Sequence, residues 1–264
     1  VVADLLAMGG AGALAWLVDR RAAAAGLLPP SFETWPWRRW VAGVLLFLVL
    51  WTAVTGPLAT FGLAPEVEAV PVWTLFLVHA LLFATMIGWL ILGFAGSGRA
   101  AGQVLRGQVG LRFPDPKELA IGIVVGVAAW LPAIVCSAGI ALGGWAIGWI
   151  ELDAPPPAFI PWLVGQTVML RVALALSAGF FEEIFFRGFL QPRIGVAWST
   201  ILFVLAHAGY GQLPLLGGVT FLSLVFAGLV VWRRSLEAAI AAHATFDVIQ
   251  LLVVMPLVLQ QGNP

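Results

Sequence analysis

Glu182 and Glu183 stand side by side in the stretch AGFFEEIFFRGFLQPR (178–193), with Arg187 four residues further on. Their neighbours Phe180, Phe181, Ile184, Phe185, Phe186, Phe189 and Leu190 are all apolar. Ionisable groups in such surroundings are costly unless paired or used, whether the solvent is a protein core or lipid. Two further pairs at four-residue spacing follow, Phe203-x-x-x-His207 and His243-x-x-x-Asp247. Carboxylates and imidazoles together are the material of general acid–base catalysis, in which a carboxylate takes a proton from water and a neighbouring imidazole shares it. On one helix, Glu183 and Arg187 are i,i+4 neighbours and can pair. Glu182 then lies about 100° round the same helix, free for chemistry. His243 and Asp247 likewise share a face.

These residues must be carried by membrane elements. The chain of 264 residues is 61% hydrophobic and only 10% charged, with a mean hydropathy of +1.02. Soluble domains carry about 25% charged residues, so the bilayer is the expected solvent and partner. Net charge is zero, which points to no nucleic acid or other strongly charged partner. Cys136 is the single cysteine, which excludes an internal disulfide and a Cys-rich metal site. Twelve of the 13 basic residues are Arg, a bias expected of a GC-rich bacterial genome. The length predicts one integral-membrane domain over 1–264.

Apolar runs fall near residues 3–18, 40–62, 72–95, 118–150, 172–192, 196–210, 214–232 and 236–258. A spanning helix needs about 20 apolar residues, and the reading is an all-α, multi-pass transmembrane bundle of about eight helices. Pro132 is expected to kink the long fourth run. Residues 155–170 read as interfacial or as an extension of the fifth helix. The loops alternate in charge. Arg20, Arg21, Arg38 and Arg39, then Arg99, Arg106, Arg112 and Lys117, then Arg193, then Arg233 and Arg234 fall on one side. Glu66, Glu68, Glu151 and Asp153 fall on the other. Cytoplasmic loops are enriched in Lys and Arg, so both termini are expected outside, with the site in a cavity facing the cytoplasm.

Depth follows from a rise of about 1.5 Å per residue. Counted from the basic end of each span, Glu182 and His207 are each roughly 16 Å deep, and His243 and Asp247 roughly 13 and 20 Å. Three helices thus bring ionisable groups to one middle depth, where charged residues usually face the bundle interior and mark a site.

Taken in order, Glu182-Glu183-x-x-x-Arg187, Phe203-x-x-x-His207 and His243-x-x-x-Asp247 resemble the CAAX prenyl endopeptidase type II and bacteriocin-processing (CPBP, or Abi) membrane family. The motifs lie within 182–247, and the earlier half resembles the family only in being helical and apolar. The resemblance implies an intramembrane glutamate-type endopeptidase acting on a peptide or protein. In it Glu182 activates a water with His207, His243 and residue 247 stabilise the oxyanion, and Glu183 and Arg187 buttress the site. The best-known members carry Asn where this chain has Asp247. An ionised Asp cannot donate to an oxyanion, so either Asp247 is protonated or it holds His243 as a cationic donor. Glu182, His207 and His243 also fit a zinc set, although the His-Glu-x-x-His helix of ordinary zincins is absent. The family mechanism needs no cofactor, and the residue types fit both routes.

Bland readings stand beside these. Glu182, Glu183 and Arg187 also suit a structural ion-pair network, and His243 with Asp247 suits a proton relay or an interhelical hydrogen bond. His79 in the third run has no matching partner and reads as structural. Arg171 reads as an anchor snorkelling to the outer interface. Two other function classes fit: a catalytically silent peptide-binding scaffold or immunity protein, and a small proton-coupled transporter. A transporter commonly shows inverted repeats, and the sequence shows none.

Overall fold

A computed structural model describes residues 2–59, 71–151 and 156–261, and among these all regular structure is helical. The loop positions Glu66, Glu68 and Asp153, with Pro155, lie outside the described residues. The order is α1 (Val2–Ala24), α2 (Pro30–Thr34), and α3 (Pro36–Val49), which runs through a π turn at Leu50–Thr55 into α4 (Gly56–Ala59). Then come α5 (Trp73–Phe94), α6 (Ala101–Val109), α7 (Pro116–Ala146) and α8 (Phe159–Val164). Next, α9 (Val168–Glu183) continues through a π turn at Ile184–Leu190 into α10 (Gln191–Ala206). The remainder is α11 (Leu213–Arg233) and α12 (Leu236–Ile249), which passes through a π turn at Gln250–Val254 into α13 (Met255–Gln261).

Six helices among the described residues are long and apolar enough to cross a membrane: Val2–Ala24, Pro36–Leu58, Trp73–Phe94, Pro116–Ala146, Leu213–Arg233 and Leu236–Gln260. The protein is an integral, multi-pass membrane protein. The expected fifth and sixth spans are helical but are not among these six. Arg171, Glu182, Glu183 and Arg187 interrupt the apolarity of the fifth, and α10 has only 16 residues. The two form a hairpin. The chain leaves helical geometry at Gly195, whose φ of 84° suits a residue without a Cβ. Ser199 Oγ then donates to the Phe186 carbonyl at 2.7 Å, closing one arm on the other.

Helix ends follow local chemistry. Asp115 caps α7, accepting from Lys117 N at 2.9 Å, with Pro116 at the first position, where its missing N–H costs nothing. Thr167 caps α9, which separates α8 from it. Residues 159–164 are therefore a helix of their own and not an extension of the fifth span. Despite Pro132, α7 stays one helix of 31 residues, roughly 46 Å long. At the arginine-rich rim, Arg39 grips Asp19 through two bonds of 2.9 and 2.6 Å. Arg233 grips Glu118 at 3.2 and 2.6 Å, tying α11 to α7.

The element that organises the site is α12, which packs on both α7 and α9. Small residues allow the approach. A Cβ on Gly179 of α9 would stand 2.7 Å from the Ala244 N, and one on Gly126 of α7 would stand 2.4 Å from the Ala242 carbonyl oxygen. Apolar side chains offer helices in lipid no hydrophobic drive to associate, so such close packing is what holds them. The largest buried cluster joins α1, α3, α5 and the hairpin. It includes Phe185, Phe186, Phe189, Leu202 and Phe203, so the phenylalanines around the two glutamates are core rather than lipid-facing. Phe180, at 38% exposure, and the half-buried Phe181 are the exceptions.

Candidate active site

Glu183 and Arg187 are the most deeply buried charges, at 0% and 1% exposure. Arg187 Nη1 donates to Glu183 Oε1 at 2.8 Å across one helical turn. Its Nη2 donates to Ser223 Oγ at 3.0 Å and to the Ser223 carbonyl at 3.3 Å on α11. The guanidinium lies over the Phe203 ring, 4.0 Å from its centroid. Arg187 is thus held by Glu183, Ser223 and the Phe203 ring.

His243 Nδ1 meets the same Glu183 oxygen at 2.8 Å. A carboxylate oxygen only accepts, so Nδ1 carries a proton. The ring stacks on Phe226 at 5.0 Å and 20°. Its other nitrogen, Nε2, faces Asp247 Oδ2 at 3.4 Å, an ion-pair separation too long for a good hydrogen bond. Glu183 thus orients the imidazole while Nε2 remains the edge open to a further acceptor.

His207 closes α10, and its Nδ1 donates to the Phe203 carbonyl at 2.7 Å. A carbonyl only accepts, so Nδ1 carries a proton, and Nε2 points toward Glu182 Oε2, 3.8 Å away. Phe203 is the shared wall, 4.5 Å from the His207 ring and 5.9 Å from the His243 ring. Side chains of the three motifs on α9, α10 and α12 therefore meet around Phe203.

Glu182 is held on one side only. Its Oε1 lies 3.2 Å from His79 Nε2 on α5, while its buried Oε2 makes no hydrogen bond within the protein. His79 is itself buried, at 5% exposure, and its Nδ1 is 2.9 Å from Ser177 Oγ. The expectation that His79 lacks a partner is corrected: it touches the central carboxylate. Arg171, near the start of α9, also finds a partner within the protein. Its Nη1 donates to the Leu251 carbonyl at 2.8 Å, inside the π turn that follows α12. Sequence reasoning missed Tyr210, the chain's one tyrosine. It sits edge-on to His207 at 5.2 Å and stacks on Phe159 at 4.7 Å.

Among the described residues, no group of three or more His, Cys, Asp or Glu side chains is arranged as a metal site. Of the zinc set Glu182, His207 and His243, the third member has Nδ1 against Glu183 Oε1 at 2.8 Å and Nε2 facing Asp247 Oδ2 at 3.4 Å.

Residues 164–249 match the family described as Type II CAAX prenyl endopeptidase Rce1-like. The matched segment holds all three motifs, and the resemblance read from them is shown for this CAAX endopeptidase-like segment. His79 lies outside it. No curated protein and no solved structure matches the chain.

Proposed function

We propose that the chain is an intramembrane endopeptidase that hydrolyses a peptide bond with a water activated by Glu182 and His207. The observation that carries this reading is the pair of free edges beside Phe203. Glu182 Oε2 is buried and unbonded within the protein, and His207 Nε2 faces it at 3.8 Å. That separation exceeds a direct hydrogen bond but suits a water bonded to both groups.

In the proposed reaction, Glu182 Oε2 takes a proton from the water as its oxygen attacks the scissile carbonyl carbon. The carbonyl π electrons move onto oxygen, and His243 Nε2–H donates to that oxyanion. Collapse breaks the C–N bond, and the leaving nitrogen takes the proton that Glu182 holds. Asp247 keeps His243 a cationic donor rather than donating itself, which accommodates Asp where the best-known members have Asn. Glu183 and Arg187 hold the donor still; such preorganisation is usually the largest catalytic contribution. The scheme runs without a resident metal.

The substrate class is a peptide or membrane-associated protein, cut from the cytoplasmic side toward which the arginine-rich loops point. The family's description reads CAAX prenyl endopeptidase, which suits a prenylated CAAX tail, whereas the Arg-rich, bacterial-type composition favours maturation or trimming of an unprenylated peptide. The test is cleavage of a peptide library, with and without a lipid-modified cysteine, by purified protein in detergent. Glu182→Ala, His207→Ala and His243→Ala are each expected to abolish cleavage, and a chelator to leave it unchanged. Cleavage that survives Glu182→Ala refutes the mechanism.

A further inference from the structure

Resting on the protease reading above, we infer that His79 is a positioning residue for the catalytic carboxylate. As a neutral Nε2–H imidazole it holds Glu182 Oε1, so that Oε2 alone serves as the base. The geometry is specific. His79 Nε2 is 3.2 Å from Glu182 Oε1, and its Nδ1 is 2.9 Å from Ser177 Oγ. Ser177 and Glu182 both belong to α9, so one ring on α5 grips the neighbouring helix at two points, about 7.5 Å apart in helical rise.

The chemistry assigns the protons. An ionised carboxylate only accepts, so Nε2 carries the hydrogen. In the neutral ring Nδ1 is then an acceptor, and the Ser177 hydroxyl donates to it. Ser177 thus selects the tautomer, in the way that the bond made by one ring nitrogen sets the state of the other. His207 is locked in the opposite tautomer, with the proton on Nδ1 for the Phe203 carbonyl. Two neutral imidazoles therefore flank Glu182 with opposite polarity, His79 presenting an N–H to Oε1 and His207 a lone pair toward Oε2. A water between Oε2 and His207 finds two acceptors, which orients its hydrogens toward them and its lone pair toward the substrate. Without His79 the carboxylate could rotate, and its two oxygens would compete for that water.

Three histidines in the whole chain make the idea directly measurable. In ¹⁵N-histidine-labelled protein in micelles, single substitutions assign each ring. The expected spectrum has His79 protonated at Nε2 and His207 at Nδ1. Glu182→Ala is expected to move the His79 Nε2 resonance, and Ser177→Ala to release its tautomer. In the peptide assay, His79→Leu is expected to lower kcat by about tenfold or more at unchanged KM, the scale of a mispositioned catalytic group. His79→Gln, whose side-chain amide still donates, is expected to recover much of the loss. A His79 resonance indifferent to Glu182→Ala overturns the inference. So does a His79→Leu protein with wild-type kcat and only a lowered melting temperature. Wild-type protein that cleaves no peptide overturns the protease reading instead, and the His79 resonance reports on the grip independently of that result.

Discussion

Gly179→Ala tests whether the close seam between α9 and α12 sets the pocket. Gly179 is one turn before Glu183, and its partner Ala244 is next to His243. A Cβ at 179 would stand 2.7 Å from the Ala244 N, 2.8 Å from its Cβ and 2.9 Å from its Cα. Ordinary contact begins at about 3.4 Å, so the helices must separate by roughly 0.7 Å. The atoms in the way are backbone and a methyl group, with no flexible side chain to move aside. Overpacking of this kind costs about 1–3 kcal/mol. The same displacement stretches the 2.8 Å bond from His243 to Glu183, and misplacing a catalytic group by about 1 Å can cost on the order of a hundredfold in rate. The comparison is Gly228→Ala on α11, where an added Cβ meets nothing within 4 Å. That change is expected to leave the rate intact and to stabilise its helix by up to about 1 kcal/mol. The assay pairs melting of purified protein in micelles with its kcat. Equal losses in both variants, or wild-type behaviour of Gly179→Ala in both measurements, would refute the argument that this seam sets the distance between Glu183 and His243.

Two further substitutions test the buried charges. Arg187→Leu leaves Glu183, at 0% exposure, with His243 as its remaining partner and is expected to destabilise the protein by about 3–5 kcal/mol. Glu183→Gln combined with Arg187→Leu should recover part of that loss in a thermal melt, and a double variant no more stable than Arg187→Leu would contradict the pairing. Arg193→Ala removes bonds to the Phe189 carbonyl at 2.6 Å and to Gln108 Oε1 at 2.9 Å, along with stacking on Trp89 and Phe189. It is expected to loosen α6 from the hairpin, read as faster proteolysis between residues 99 and 115 with little change in KM.

What the sequence could disclose depended on how local each signal was. Glu183 with Arg187 and His243 with Asp247 are i,i+4 pairs, and helical periodicity alone brings each pair together, at 2.8 and 3.4 Å. Convergence of three helices was legible through depth, because a bilayer fixes the axis along which residues can be counted. His79 escaped because its partner is 103 positions away and no pattern surrounds it. The same count would have raised it as a candidate. It lies 15 residues before Phe94, the end of α5, or roughly 22 Å deep, close to Asp247. The inward-facing phenylalanines were hard to place for a related reason. An apolarity count treats residues 172–210 as lipid-facing, whereas Phe185, Phe186 and Phe189 have 0–1% exposure and line a hairpin folded inside the bundle. Aromatic side chains that enclose a buried ion pair and those that meet lipid look alike in composition. Only the positions of the charges tell them apart, and here the charges lie on the hairpin and point inward, toward α12 and α5.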